Sequence, residues 1–307
     1  MRLTAGGGRR APSLLAVFAV AALGIALFSV MDAVMKGLVL AIGAYTALLW
    51  RNLAGTVISG ALYFARPRRS MKTRATLKVH VLRAVVSTVM ALCFFWGLAR
   101  MPMAQAVALT FIAPLLSLFL SAMLLGERIE RTTVVASSIA FAGVAVILFG
   151  QWRADLDTAA LEGAIAVLCS ALFYAFNIVL MRRQALVAEP LEVAFSQSAI
   201  VTLLLAVGGP FFATFPAARH VPMLLLGAVL AVLSLLSLAW AYARSDASHL
   251  STSEYTSFVW ASLLGWLVFD ERVTPFTLAG ATLIVTGCVL AARFRPVAPI
   301  ADLDAGR

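Results

Sequence analysis

Residues 96–144, WGLARMPMAQAVALTFIAPLLSLFLSAMLLGERIERTTVVASSIAFAGV, are met again at residues 240–288 as WAYARSDASHLSTSEYTSFVWASLLGWLVFDERVTPFTLAGATLIVTGC. The two stretches align without a gap at an offset of 144. Trp96 meets Trp240, Arg100 meets Arg244, Glu127 and Arg128 meet Glu271 and Arg272, and Gly143 meets Gly287. The halves also match at their starts, at an offset of 145, where ALFSVMD (26–32) faces ALFYAFN (171–177). Asp32 therefore meets Asn177. The chain is an internal duplication, and what one half is, the other half is too.

Composition says what is duplicated. Of 307 residues, 62% are hydrophobic and 12% charged, and the mean hydropathy is +0.97. A water-soluble chain of this length needs far more polar surface. Apolar runs of about 20 residues recur from end to end, the length an α-helix needs to cross the hydrocarbon core. In lipid each backbone group must be satisfied within its own segment, so such runs are helices, whereas a membrane barrel would alternate polar and apolar residues. The expected fold is all-α and polytopic, with ten spans at 13–35, 40–64, 79–99, 103–125, 132–150, 160–181, 192–213, 221–243, 248–269 and 274–293. Pro, Gly and charges punctuate the breaks. The expected organisation is a cytoplasmic N-terminal tail (1–12), a first five-helix repeat (13–150), a second (151–294) and a cytoplasmic C-terminal tail (295–307).

The net charge of +10 would suit a nucleic-acid partner, but the cations follow the membrane pattern instead. Placing the N-terminus inside puts 17 Lys and Arg residues in inner segments and 5, Lys36 among them, in outer ones. Arg51 and Arg83 remain within spans. The positive-inside rule then holds both termini in the cytoplasm. Five helices per half is odd, so the second half enters the membrane in the opposite sense. An inverted-topology repeat is the architecture of many secondary transporters, with the substrate near the midplane between the halves.

The start, MRLTAGGGRRAPSLLAVFAV, resembles a signal peptide, but its apolar run is too long, and the repeat argues for a retained first helix. Cys93, Cys169 and Cys288 all fall within spans and offer neither a disulfide framework nor metal spacing. His80, His220 and His249 are too scattered for a metal site. No Walker A, HExxH or GxSxG pattern is present. These absences point away from an enzyme, a metal and a cofactor, and leave a gradient or solute exchange as the energy source.

WRNLAG in the second span, PMAQAVALTFIAPLLSLFLSAMLLGERI across the fourth, and FDERVTPFTLAGATLIVTG in the second half resemble the drug/metabolite transporter superfamily, with two tandem EamA-type units over about residues 13–294. The resemblance implies ten helices, cytoplasmic termini and transport of small organic solutes. MDAVMKG, WRNL and LRAVVST are similar to a branch that includes S-adenosylmethionine and riboflavin-type uptake proteins. The second unit departs from the pattern where Phe258 replaces Pro114 and Glu254 replaces Thr110.

Charges in mid-span cost about 2.5–3.5 kcal/mol each, against about 0.3–0.6 kcal/mol returned per large apolar residue. Asp32, Arg51 and Glu254 therefore each need a reason. Asp32 and Arg51 are expected to form a structural ion pair or a gate that opens as the halves rock. Lys36, one turn from Asp32, is a competing partner. A polar residue at both mirrored positions, Asp32 and Asn177, marks a lumen or an inter-repeat contact. Glu254 is expected two turns inside the ninth helix. Ser251 and Ser257 or Phe258 share its face, which lines a cavity or a helix contact, and a carboxylate there can carry a proton. Arg83 is expected to snorkel to the interface. Trp96 and Trp240 serve as interfacial belt residues or as stacking surfaces for substrate.

The candidate substrate-binding set is Asp32, Arg51, Trp96, Asn177, Trp240, Glu254 and Tyr255. Two of the three mid-span charges are acidic, which favours a cationic or zwitterionic metabolite moved by alternating access across the inner membrane. The partners are that small molecule and the lipid bilayer, not nucleic acid, with proton coupling an open alternative and no oligomeric state assigned. An exporter of drugs or metabolites and a non-transporting membrane scaffold are the rival readings.

Overall fold

The computed structural model describes residues 14–65, 74–125, 131–153, 158–185, 187–242 and 254–293. The two expected tails, the basic loop at 66–73, the turn at 126–130 and residues 243–253 lie outside them. Among the described residues every regular element is helical: α1 (Leu14–Ile42), α2 (Ala44–Phe64), α3 (Arg74–Leu98), α4 (Met103–Thr110), α5 (Ala113–Leu125), α6 (Arg131–Arg153), α7 (Thr158–Ala185), α8 (Pro190–Phe212), α9 (Val221–Tyr242), α10 (Thr256–Phe269) and α11 (Pro275–Arg293). A single 3₁₀ turn, Ala218–His220, leads into α9.

Five segments are long and apolar enough to cross a membrane: Ala16–Ile42, Thr76–Leu98, Thr158–Met181, Pro190–Phe212 and Ala218–Ala241. The shorter apolar stretches Met103–Ser117, Val134–Gly150, Thr256–Phe269 and Pro275–Leu290 stand beside them. Val57, Leu203, Val207, Phe211 and Val259 point away from the protein, as suits side chains that meet lipid. The chain is a multi-pass membrane protein.

Two expectations about the helices are corrected. The first helix does not end at residue 35. It runs to Ile42 and turns on one residue, Gly43, whose φ of +79° a side chain would resist. Lys36 is thereby inside a helix and buried, not in an outer loop. The fourth span is not continuous either. It breaks at Phe111–Ile112 into α4 and α5, where Phe111 and Ile112 donate to the carbonyls three residues back. Pro114 explains the break, because its ring denies the Thr110 carbonyl the amide donor four residues on. The second half breaks at Tyr255, the position that mirrors Phe111, although Phe258 stands where the proline was. There the Phe258 amide reaches only the Tyr255 carbonyl, and the Ser257 hydroxyl donates to the Glu254 carbonyl at 2.6 Å.

Packing joins one half to the other. α1 lies on α9, α3 on α7, α2 on α8, and α6 on α11. Glycines set the closest approaches: a Cβ on Gly280 would meet the Gly143 carbonyl at 2.6 Å, and one on Gly97 would meet the Gly163 carbonyl at 2.5 Å. Cross-contacts define two ends. The far end gathers Ile42, Tyr45, Trp96, Ala166 and Phe212 around one cavity. At the near end the starts of α3 and α8 meet the end of α7.

Candidate functional site

At the far end α10 stops at Asp270, whose φ of +54° gives a left-handed cap with its amide on the Trp266 carbonyl. The cap aims Glu271 inward. Its Oε2 accepts from the Met103 amide at 2.7 Å, at the unsatisfied N-terminus of α4, and its Oε1 takes the Lys36 ammonium. Lys36 also donates to the Met101 carbonyl at 2.7 Å. Three chain segments from both halves are thus tied by one ion pair. Lys36 is therefore not the partner of Asp32.

Deeper in, Asp32 on α1 and Arg51 on α2 lie about 12–17 Å below the Gly43 turn, by the helical rise. Asp32 is buried, and its Oδ1 has no hydrogen-bond partner. Arg51 places Nη1 3.3 Å from the Met31 sulfur and packs its stem beside Gly227 on α9. The two charges sense each other, but no contact of ion-pair length joins them. The expected direct pair is not formed, because the guanidinium is held on the Met31 side.

The two helix breaks meet at the centre. The Phe111 and Tyr255 rings stand edge to face with centroids 5.4 Å apart. The Cys288 thiol on α11 donates to the Phe111 carbonyl at 3.1 Å and also hydrogen-bonds the Tyr255 hydroxyl. Glu254 precedes the second break, half-buried, and acts electrostatically on Tyr174 of α7. Its expected place two turns inside a helix falls on residues outside those described. What is visible is its place at the break, two residues before α10.

Towards the near end Asn177 accepts from Arg83 Nε at 3.1 Å and from the Ser87 hydroxyl at 3.0 Å. Arg83 is buried and does not snorkel to an interface, because Asn177 and Gln184 on α7 satisfy its guanidinium. His80 and Glu192 adjoin this network.

The structure thus puts Asp32 with Arg51, and Glu254 with Tyr255. It puts Asn177 with Arg83, towards the near end. Trp96 lines the far-end cavity of about 510 Å³, together with Tyr45, Thr46, Leu92 and Phe212. The Arg100 guanidinium already covers one face of its ring, 3.4 Å from the centroid. Trp240 packs on Val17 and Ala21 of α1, near the other end, so the two mirrored tryptophans do not meet. Sequence reasoning missed Glu271, Glu192 and the inward role of Arg83. The doubled Glu-Arg at 127–128 and 271–272 was the one available signal for Glu271, and it was used there only as a repeat marker.

Comparison with known proteins bears on all of this. The family profile described as "EamA-like transporter family" matches residues 14–149 and again 161–293. The pseudopaline exporter of Pseudomonas aeruginosa (strain UCBPP-PA14) is 26% identical over 267 residues, covering 87% of this chain and 92% of that one. The riboflavin transporter of Vibrio cholerae is 29% identical, covering 78% and 79%. The S-adenosylmethionine uptake transporter of Rickettsia felis is 23% identical, covering 83% and 84%. One crystal structure superposes with a TM-score of 0.61 at 20% identity, over 91% of this chain and 98% of that one, and shares the fold.

Proposed function

Because the chain belongs to the EamA-like transporter family, within the drug/metabolite transporter superfamily, we propose that it moves a small organic metabolite, cationic or zwitterionic, by alternating access. Ten crossings in two inverted five-helix repeats, with both termini in the cytoplasm and the protein in the plasma membrane, complete the reading. Members of this family are transporters rather than enzymes. The observation that carries the substrate class is the buried, unbonded Asp32 oxygen facing a guanidinium that is held off from it. Opposite charges kept apart suit a molecule that brings an ammonium to one and a carboxylate to the other, each contact charge-assisted. Relatives named for an amino-acid exporter and for S-adenosylmethionine uptake agree with that chemistry.

Alternating access is supported by the mirrored breaks, since discontinuous helices at the repeat interface are where such proteins bind and rock. The Lys36–Glu271 tie closes the far end in this conformation. Export is the second reading of the same site, favoured by the relatives named as exporters.

The test is flux in proteoliposomes of known orientation, screened with amino acids, S-adenosylmethionine and riboflavin. Wild-type protein should move at least one zwitterionic or cationic member, and Asp32→Asn should abolish that flux. Flux direction separates uptake from export. A wild type that moves none of the panel, or Asp32→Asn protein with undiminished flux, refutes the reading. The scaffold alternative predicts the first.

A further inference from the structure

A second buried ionisable cluster lies outside the candidate substrate site, where α3, α7 and α8 meet at the near end. Glu192 is 1% exposed, and neither of its carboxylate oxygens has a hydrogen-bond partner. Its Oε1 lies 3.5 Å from His80 Nε2, and His80 is fully buried. A carboxylate sealed from water without hydrogen-bond donors is costly to keep ionised. Glu192 sits in the first turn of α8, and Arg83 reaches it through Gln184 and His80, by two hydrogen bonds and the 3.5 Å contact.

The direction of the hydrogen bonds decides where a proton can go. A guanidinium only donates. Arg83 Nε donates to Asn177 Oδ1, and its Nη1 donates to Gln184 Oε1. That leaves the Gln184 amide nitrogen as the donor to His80 Nδ1. The imidazole is therefore the tautomer with its hydrogen on Nε2, the ring nitrogen that lies 3.5 Å from Glu192 Oε1. Nδ1 is engaged by a donor, so an added proton goes to the carboxylate.

Among the described residues the other charged or titratable groups facing this cluster are few. Tyr174 on α7 acts on Arg83, and Glu254 before α10 acts on Tyr174. Tyr63 on α2 stacks on Phe195, one turn along α8. Glu189 caps α8.

We propose that Glu192, held against His80, is the proton-binding site of this transporter. The inference rests on the alternating-access reading above. While the near end is sealed, the carboxyl keeps its proton. When α3, α7 and α8 part, water reaches the carboxylate, replaces the missing hydrogen bonds and takes the proton. One proton binds and one leaves per cycle, with no other bond changed. This assigns coupling to a residue on the opposite side of the centre from Asp32, so the proton and the solute occupy separate sites.

Two measurements on the full chain in liposomes test this. Infrared acid–base difference spectra should show a protonated carboxyl band that Glu192→Gln removes, that Glu192→Asp keeps at a shifted frequency, and that Glu254→Gln leaves in place. A band unchanged in Glu192→Gln overturns the proposal. In flux assays with the panel above, an imposed pH gradient should stimulate wild-type uptake. Glu192→Gln should lose that stimulation and keep solute–solute exchange. Stimulation equal to wild type, or loss of exchange along with it in folded protein, overturns the proposal too. A wild type that moves no panel solute sinks the functional reading instead, and the infrared result still decides this one. Should Glu192→Gln fail to fold, the Glu192→Asp frequency shift carries the same decision.

Discussion

Lys36→Met should loosen the far end of the molecule. The ammonium is 4% exposed and ties Glu271 of the second repeat to the Met101 carbonyl of the first. Breaking a fully buried ion pair from one side costs about 3–5 kcal/mol. Glu271 is 18% exposed and keeps its bond from the Met103 amide, so its stranded charge is only partly uncompensated. Interhelical polar contacts in membranes are worth about 0.6–2 kcal/mol. A loss of about 2–3 kcal/mol lies between these bounds, and it falls on the sealed far-end state alone, because the pair spans the two repeats. That shifts the open-to-sealed ratio by about 30- to 140-fold. The assay is labelling of an Ala104→Cys protein by a membrane-impermeant maleimide, in a background without the native cysteines. Ala104 is buried and adjoins Gly265 and Glu271, so it reacts only when the far end opens. Lys36→Met should speed labelling by at least about tenfold, and Lys36→Met/Glu271→Gln should fold better than Lys36→Met alone. Labelling at the wild-type rate in folded Lys36→Met would refute the reasoning, since the pair would then hold nothing closed.

Arg51→Ala should fold, because the guanidinium holds no ion pair, and should fail to transport; size-exclusion profile and flux measured together check this, and wild-type flux excludes a role in the site. Glu254→Gln should keep its folded yield while flux of a cationic or zwitterionic solute falls at least about tenfold, since a charge-assisted contact is worth about 1.5–3 kcal/mol; unchanged flux makes the residue a packing detail. Gly280→Ala should lower the thermal midpoint, with a cost of about 1–3 kcal/mol, because its Cβ would meet Ile147 Cγ1 at 2.4 Å and the Gly143 carbonyl at 2.6 Å. An unshifted midpoint would mean that α6 and α11 do not pack as described.

The sequence by itself determined what is linear in it. Runs of apolar residues announce membrane helices because the bilayer demands self-satisfied backbones. The offsets of 144 and 145 announce two related halves; the first marks Thr110 and Glu254, and the second Asp32 and Asn177, as paired positions. The polar residues of the site were legible because lipid makes each of them conspicuous.

Their partners were not legible. The sequence offers Asp32 the nearby Arg51 or Lys36 as partners, yet Lys36 reaches 235 residues on to Glu271, and Arg83 reaches 94 residues on to Asn177. On a helix that is apolar all round, periodicity does not say which face meets protein. Only the tertiary packing of α1 on α9 and α3 on α7 decides which charge finds which. The helix breaks divide the same way. Pro114 wrote one of them into the sequence, but its mirror at Tyr255 has no proline, and it becomes visible only where the two halves bring Phe111 and Tyr255 into contact.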